Sequence, residues 1–211
     1  MYTAGISRMI LVGGILTIAL CLCAGCSDSL QEPGCECPMC TPQPLVQMKT
    51  TMGSIILELD AARAPISVGN FLRYVETSFY DSTIIHRVFP DFVIQGGQYT
   101  EDLELKEPND SIICESYNGL SNLRGTIGVA RRSAPNSGAC QFFINLKDNL
   151  ALDRQDDSMP GYAVFGRVIA GMDVVDSIGS VPVSSQQAAD GTSMEHVPVT
   201  PVIVLSVQRI R

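Results

Sequence analysis

The sequence predicts a mainly β fold, a closed antiparallel barrel with two short helices. Short apolar runs alternate with glycine and proline along the chain, which contains 18 Gly and 12 Pro among its 211 residues. This pattern is typical of strands joined by turns. Only two segments have the helical spacing of apolar residues, and no strand–helix–strand alternation is visible. Closing the sheet into a barrel would also remove the exposed edges that so many strands otherwise present.

The first predicted element is a β-hairpin. Apolar and polar side chains partly alternate along Gln47–Thr50 and again along Met52–Asp60, with Gly53 near the turn. Alternation on both sides of a turn residue indicates two paired strands with one face toward the core.

An amphipathic helix is predicted over Ala64–Thr77. Pro65 suits the first turn of a helix, and Ser67 is a candidate for its N-cap. An apolar stripe on one face is indicated by the three- and four-residue spacing of Val68, Phe71, Leu72 and Val75. We expect this stripe to cover one open end of the barrel.

The rest of the domain is predicted to consist of strands and one more helix. The β-forming runs, most of them next to glycine, are Thr83–Val88, Phe92–Gln95, Ile112–Glu115, Thr126–Ala130, Gln141–Leu146 and Tyr162–Ile169. A short helix is predicted over Met172–Ile178, ending near Gly179. The strongly β-forming run Pro201–Ile210 predicts a last strand.

Residues 1–25 have the features of a signal peptide. Arg8 is the charged side chain that precedes the apolar run Met9–Leu22, which is short for a membrane span. The run continues into Cys23-Ala-Gly-Cys26, which resembles the lipobox of bacterial lipoproteins, although Cys23 stands where that motif usually has Leu. The resemblance implies acylation of Cys26, export and attachment to the periplasmic face of a bacterial membrane, with Ser27 favouring the outer membrane. A plain secretory signal and an uncleaved anchor are the alternatives.

Residues 26–45 are interpreted as a lipidated tether rich in Cys and Pro. Proline recurs through this segment and little in it can pack into a core. Cys35, Cys37 and Cys40 allow three readings: disulfides within the tether, a redox site, or ligation of a metal. A thioredoxin-like site requires a strand before the motif and a helix after it, and a closed zinc site requires a fourth ligand. The sequence offers neither, so we expect disulfides.

Charge and motifs exclude several classes of function. The formal net charge is −8, whereas nucleic-acid binding requires clustered Lys and Arg. The two histidines, His86 and His196, do not form a metal site, and we interpret His86 as a buried histidine with satisfied hydrogen bonds. No G-x-S-x-G motif, phosphate loop or H-E-x-x-H pair is present. We expect no metal and no cofactor.

Four segments closely resemble the motifs of the cyclophilin family of peptidyl-prolyl cis/trans isomerases. They are IHRVFPDFVIQGG (85–97), NGLSNLRGTIGVA (118–130), QFFIN (141–145) and YAVFG (162–166). They follow one another in the family's order and spacing, and bacterial periplasmic members are the most similar. The resemblance covers residues 46–211, which we take as the isomerase domain.

The resemblance implies an eight-stranded closed barrel capped by two helices, with the active groove on its outer face. It also implies acceleration of X-Pro bond rotation in proline-containing polypeptides, without a cofactor, in a protein that we expect to be a monomer. Carried over by position, the catalytic residues are Arg87, Phe92 and Gln95. The substrate-binding residues are Val93, Ala130, Arg131, Gln141, Phe143, Leu152 and Tyr162.

These residue types suit the chemistry of amide rotation. Arg87 is a permanent cation that can donate a hydrogen bond to the prolyl nitrogen of a twisted amide. Gln95 can bind the substrate backbone or orient Arg87, because its amide both donates and accepts. An apolar pocket for the pyrrolidine ring would be formed by Phe92, Val93, Phe143 and Leu152.

The sequence also departs from the family at four positions. Val93 stands where many members have Met, Arg131 where eukaryotic members have Asn, and Tyr162 where they have His. Ala151 replaces an aromatic residue, Trp in eukaryotic members, that supports cyclosporin binding in the family. We therefore predict weak binding of cyclosporin and retained isomerase activity.

Two other functions remain open at the level of sequence. One is a non-catalytic barrel that holds proline-containing segments. The other is thiol or metal handling through the tether cysteines. Cys114 and Cys140, which lie within the domain, are expected to be free buried thiols.

Overall fold

The structure is a computed structural model that describes residues 42–211. The predicted signal peptide, the lipidation residue Cys26 and the cysteines of the tether lie outside the described residues, and those predictions stay as they are. Neither helix within residues 42–211 is long and apolar enough to cross a membrane.

The domain contains eleven strands, two α-helices and one short 3-10 helix. In the first half of the described chain these are β1 (Leu45–Thr50), β2 (Gly53–Leu59), α1 (Pro65–Glu76), β3 (Thr83–Ile84), β4 (Arg87–Phe89), β5 (Val93–Gly96) and β6 (Thr126–Val129). They are followed by β7 (Phe142–Asn145), the 3-10 helix Leu150–Leu152, β8 (Val164–Ala170), α2 (Met172–Gly179), β9 (Val183–Gln187), β10 (Ser193–Pro198) and β11 (Ile203–Arg209).

Nine strands form one curled antiparallel sheet, in the order β3-β11-β1-β2-β8-β6-β7-β5-β4. The closed eight-stranded barrel predicted from the sequence is therefore wrong: the sheet is a half-barrel whose end strands, β3 and β4, do not pair. The run predicted as one strand, Thr83–Val88, is split between them at Ile85 and His86. The ladder is interrupted at this point, because β3 pairs with β11 and β4 with β5, whereas Ile85 and His86 belong to no strand.

The hairpin of β9 and β10 forms a separate two-stranded sheet that the sequence did not predict. Its strands contain Ser, Gln and Glu, and most of their side chains are exposed or half-buried, so no apolar alternation marks them. The hairpin packs on β4, and the His196 ring lies 4.6 Å from that of Phe89.

Helix α1 is confirmed, but its N-terminus is stabilised differently from the prediction. Ser67 is not the N-cap, since it lies inside the first turn and is buried. The carboxylate of Glu115 instead accepts hydrogen bonds from the backbone N–H groups of Ile66 at 3.0 Å and Ser67 at 2.7 Å. The strand predicted over Ile112–Glu115 is also wrong, because only Ile112 makes an isolated bridge there. A carboxylate at a helix N-terminus satisfies free N–H donors and complements the helix dipole.

The core lies between α1 and the concave face of the sheet. Phe71 of α1 packs its ring against the rings of Tyr80, Phe142 and Phe165, at centroid distances between 5.1 and 6.0 Å. Of the predicted stripe, Val68, Phe71 and Val75 are buried, and Leu72 is half-buried against the core. Aromatic rings in tilted and edge-on contact stabilise such a core beyond the area that they bury.

The first described residues bind the sheet directly. The Gln43 side chain accepts a hydrogen bond from the Ala61 N–H at 2.9 Å, and the Pro44 carbonyl accepts one from the Leu59 N–H at 2.9 Å. These residues belong to the segment that we interpret as the tether. Contacts with the sheet thus begin a few residues before residue 46, the predicted start of the isomerase domain.

Candidate active site

Three neighbouring strands, β4, β5 and β7, place four of the predicted site residues on one outer face of the sheet, namely Arg87, Val93, Gln95 and Phe143. In the ladder between β4 and β5, Arg87 is opposite Gln95, and in the ladder between β5 and β7, Gln95 is opposite Phe143. Phe143 is in turn opposite Gly128 of β6. Residues directly opposite in adjacent strands share a face, so these side chains converge.

The convergence forms a cavity of about 170 Å³. It is lined by Arg87, Phe92, Val93, Gln95, Ala130, Arg131, Phe143, Leu152 and Tyr162. The structure therefore brings together nine of the ten residues to which the motifs point. The tenth, Gln141, lines an adjoining cavity of about 380 Å³ that shares Gln95, Ala130 and Arg131 with the first.

The floor of the smaller cavity is apolar and firmly packed. Val93 and Phe143 are buried, and the Phe143 ring meets the Tyr162 ring edge-on at 5.8 Å. Gly128 leaves room for that ring, because a Cβ at this position would collide with the ring carbons of Phe143. A ring held in this way gives the cavity a fixed shape.

Phe92, in the turn before β5, and Leu152, in the 3-10 helix Leu150–Leu152, complete the apolar wall. The Phe92 ring is edge-on to that of Phe89 at 5.7 Å. The Asn149 side chain donates to the Phe92 carbonyl at 2.9 Å, and the Asn149 carbonyl accepts from the Leu152 N–H at 2.8 Å. Asn149 thus connects the backbone at Phe92 with the 3-10 helix and keeps both apolar side chains at the cavity.

The polar side of the cavity is a row of side-chain hydrogen bonds. Arg87 Nη1 donates to Gln95 Oε1 at 3.4 Å, Gln95 Nε2 to Gln141 Oε1 at 2.7 Å, and Gln141 Nε2 to Gln98 Oε1 at 2.6 Å. Gln98 Nε2 donates to the Lys106 carbonyl at 3.3 Å. Sequence reasoning missed Gln98, because it lies beyond the Gly96-Gly97 bend, outside the strand, and no local pattern marks it.

Arg131 is fixed over the ring of Tyr162. Its guanidinium carbon lies 4.6 Å from the ring centroid, within the range of a cation–π interaction. Arg131 Nε donates to the Gly161 carbonyl at 2.9 Å and Nη1 to the Arg132 carbonyl at 2.9 Å. The side chain is therefore oriented at the boundary between the two cavities.

Comparison with known proteins identifies the family. The model of the family described as cyclophilin type peptidyl-prolyl cis-trans isomerase/CLD matches residues 45–208. The chain belongs to this family.

Two relatives of this cyclophilin are isomerases from bacteria. The peptidyl-prolyl cis-trans isomerase of Acinetobacter baylyi is 47% identical over 164 residues, which cover 78% of this chain and 84% of the relative. Isomerase B of Escherichia coli K12 is 42% identical over 167 residues, which cover 77% of this chain and 98% of the relative. This cyclophilin is a peptidyl-prolyl cis-trans isomerase, as the sequence predicts.

A solved structure supports the fold. It is a cyclophilin-type isomerase of Cryptosporidium parvum crystallised in the presence of the dipeptide Ala-Pro. The TM-score is 0.64 at 23% identity, with 79% of this chain and 99% of that chain covered.

His86 of the cyclophilin is buried beside the site but does not have the satisfied hydrogen bonds that we predicted. Its Nδ1 atom has no hydrogen-bond partner, and its ring lies 4.8 Å from that of Tyr99. Burial, together with the charge of Arg87, lowers the pKa of His86 to about 3. The imidazole is thus neutral at physiological pH and does not act as an acid or base for the reaction.

The two cysteines of the domain are thiols, as predicted, but only one is fully buried. Among residues 42–211 neither Cys114 nor Cys140 forms a disulfide, and Cys114 is half-buried. Ile112 and Gly138 form an antiparallel bridge. From these two residues the chain runs in opposite directions, to Cys114 and to Cys140. Burial raises the pKa of Cys140 to about 12, which keeps that thiol protonated and unreactive.

Proposed function

We propose that the cavity between Arg87 and Phe143 is where this cyclophilin rotates X-Pro bonds. One observation carries the proposal: the motif residues line a single cavity that has a guanidinium on one side and an apolar floor. The related isomerase of Cryptosporidium parvum was crystallised with Ala-Pro present, which supports proline-containing polypeptides as substrates.

The reaction itself sets the requirements for the site. Rotation about a prolyl amide is slow because the C–N bond has partial double-bond character, with a barrier of about 20 kcal/mol. No bond is made or broken, so the site needs neither a nucleophile nor a general base. It must bind the twisted amide more tightly than either planar form.

Arg87 supplies the interaction that strengthens with the twist. The prolyl nitrogen regains a lone pair as the amide rotates, and it can then accept a hydrogen bond. A guanidinium is a permanent cation, and Gln95 holds that of Arg87 at the edge of the cavity through the 3.4 Å contact. A hydrogen bond from a charged donor contributes about 1.5–3 kcal/mol. That energy corresponds to roughly 10- to 150-fold in rate.

The apolar wall holds the proline ring still while the chain rotates about the C–N bond. Phe92, Val93, Phe143 and Leu152 surround the pyrrolidine ring, so the residue before proline turns relative to a held ring. Ala130 and Arg131 lie where the two cavities meet, and they bind the peptide as it leaves the proline cavity.

The decisive experiment is replacement of the guanidinium. Arg87→Ala should reduce kcat/KM on an X-Pro peptide by about tenfold or more, measured by a protease-coupled or NMR-exchange assay. Arg73→Ala is the matched control, because Arg73 is an exposed arginine of α1 outside both cavities. Wild-type turnover by the Arg87 variant would show that this cavity is not the catalytic site. If the Arg87 variant bound the peptide as tightly as wild type but no longer isomerised it, wild-type activity would be catalysis and not merely the holding of proline-containing segments.

The enzyme acts on exported proteins at the periplasmic face of a bacterial membrane, with the acylated Cys26 as its anchor. The support is in the sequence: Arg8, an apolar run of signal-peptide length and small residues before Cys26. Two or more acyl chains on one cysteine bind a bilayer firmly, whereas a single chain binds marginally. Ser27 after the cysteine favours the outer membrane.

Metabolic labelling tests this anchor. Cys26→Ser should abolish incorporation of an alkynyl palmitate and release the protein from the membrane fraction, whereas Cys23→Ser should change neither. A membrane-bound protein with unmodified Cys26 would favour the uncleaved anchor. Separation of the two membranes on a density gradient checks the preference for the outer one.

A further inference from the structure

We propose that this cyclophilin prefers proline segments that carry an acidic side chain near the proline, and that Arg131 and Arg132 select it. The inference rests on the proposed assignment of the smaller cavity as the proline site. It concerns the adjoining cavity of about 380 Å³, which the peptide enters beside Ala130 and Arg131.

The two cavities are lined by cations and by no carboxylate. The larger one is lined by Gln95, Gln98, Pro108, Asn109, Ser111, Ala130, Arg131, Arg132, Ser137, Ala139, Cys140 and Gln141. With Arg87 of the smaller cavity, three arginines face this space, and no Asp or Glu does. The chain as a whole has a net charge of −8, so the site is a positive region on an acidic protein.

These three arginines have no carboxylate partner within residues 42–211. The ion pairs of the described chain involve other arginines, namely Arg63, Arg124, Arg154 and Arg167. An unpaired guanidinium beside a cavity attracts an incoming anion, whereas the charge of a paired guanidinium is already largely neutralised by its partner.

Arg131 is preorganised for such a contact. Its Nε and Nη1 atoms are held by backbone carbonyls and its plane lies over Tyr162. Its Nη2 atom takes part in none of the hydrogen bonds of the described residues. Because the side chain is already ordered, binding a carboxylate costs it little conformational freedom.

Two acidic residues close to this region, Asp110 and Asp190, form no ion pair with its arginines. Asp110 is exposed and lies between two lining residues in sequence, but it does not itself line the cavity. Asp190 lies near Tyr99, whose pKa is raised by burial and further by this carboxylate, while Arg132 opposes the change. The Asp190 carboxylate accepts a hydrogen bond from the Thr192 N–H. Neither aspartate forms an ion pair with an arginine of the site.

The geometry sets which acidic residues qualify. An extended peptide advances about 3.3–3.6 Å per residue, so a side chain within about three residues of the proline reaches the adjoining cavity. An ion pair that remains in contact with solvent contributes modestly. We therefore expect a preference of about two- to fivefold in kcat/KM rather than absolute selection.

The test uses pairs of peptides that differ only in Glu or Gln at one position, on either side of the proline. The Glu peptide should be favoured about two- to fivefold at an ionic strength of about 0.01 M. The preference should vanish at about 1 M salt, where the Debye length falls to about 3 Å. Arg132→Gln should bring the ratio toward one, and a further Arg131→Gln should abolish it.

Arg73→Gln is the matched control and should leave the ratio at its wild-type value. A ratio of one or less at every position, or a preference that persists at high salt, would overturn the proposal. Titration of the same peptide pairs gives a second readout through their Kd ratio, which tests the preference even if turnover is lost. The Kd ratio of the Glu and Gln peptides in Arg87→Ala distinguishes this inference from the assignment of the catalytic site. If Arg87→Ala loses turnover but keeps that ratio, the acidic preference does not depend on the catalytic arginine.

Discussion

Gln95 of β5 and Gln141, which directly precedes β7, are joined by a 2.7 Å hydrogen bond from Gln95 Nε2 to Gln141 Oε1. This bond belongs to a row whose ends fix its direction: the guanidinium of Arg87 can only donate, and the carbonyl of Lys106 can only accept. The three amides between them, Gln95, Gln141 and Gln98, must therefore all point the same way. The row keeps the carbonyl oxygen of Gln95, not its NH₂ group, toward Arg87.

Removing the middle of this row should impair catalysis without unfolding the protein. Gln141→Leu leaves Gln95 free to rotate its NH₂ group toward Arg87, so we expect kcat to fall about fivefold, the equivalent of one hydrogen bond. KM should change less than kcat, because the apolar wall that holds the proline ring is intact. Gln98→Leu should also lower kcat, but by a smaller factor. An unchanged kcat in both variants, with unfolding midpoints equal to wild type, would show that the row does not position Arg87.

A methyl group at Gly128 should deform the floor of the proline cavity. In Gly128→Ala the new Cβ meets the ring of Phe143, and that ring is held from the other side by Tyr162. We expect a loss of about 1–3 kcal/mol of stability from overpacking, and at least a tenfold lower kcat/KM. Urea unfolding and the peptide assay measure the two effects.

Gly69→Ala in α1 is the control for that substitution. Nothing lies within 4 Å of a Cβ at Gly69, so the change should raise helix stability by about 0.5–1 kcal/mol and leave the rate unaltered. If Gly128→Ala behaved in the same way, the Phe143 ring would not be confined as the structure indicates.

Stability should fall in mild acid because of His86. Its pKa is lowered to about 3 by burial in the folded protein, against about 6.5 in an unfolded chain. Between these two values the unfolded chain binds a proton that the folded protein does not. The free energy of unfolding therefore decreases as the pH falls from about 6.5 toward 3, by about 1.4 kcal/mol per pH unit.

His86→Phe removes this titration and the unpartnered Nδ1 atom while keeping a ring against Tyr99. From pH 7 to pH 5 the variant should lose about 2 kcal/mol less stability than wild type. Denaturant unfolding at several pH values provides the measurement. Between pH 7 and 8 the two curves should run parallel, since the histidine is then neutral in both states. If the two stability curves were also parallel in the acid range, His86 would not have the lowered pKa on which this prediction depends.

Cyclosporin should bind weakly, because Ala151 occupies the position of the aromatic residue that supports binding in the family. Ala151 is exposed within the 3-10 helix Leu150–Leu152, next to Leu152 of the proline cavity. Ala151→Trp should tighten binding by about tenfold, the size of an added aromatic contact. Calorimetric titration of both proteins is the check. Tight binding by wild type, or no gain in the variant, would contradict this prediction.

The identity of the cavity residues and the positions of both helices could be predicted from the sequence. Arg87, Phe92 and Gln95 lie within one hairpin, so a local motif specifies their relative positions. The stripe of α1 depends only on spacing along the chain. Such features need no knowledge of distant contacts.

Other features were decided by contacts between residues remote in sequence. Glu115 binds the N-terminus of α1 through Ser67, 48 residues away, and it replaced both a predicted cap and a predicted strand. Gln98 joins the site only because Gln141 folds beside it. The polar hairpin of β9 and β10 is ordered by its packing on β4 rather than by its own apolar pattern.

By itself the sequence determined the family, the chemistry of the cavity and the location of most strands, because these depend on short motifs and on periodicity. Whether the sheet closes was decided only by tertiary structure. Closure depends on pairings between residues far apart in sequence. Here β3 pairs with β11 and β4 with β5, while Ile85 and His86, between β3 and β4, belong to no strand. The ladder is interrupted there, and the sheet curls into a half-barrel with the proline cavity on its outer face.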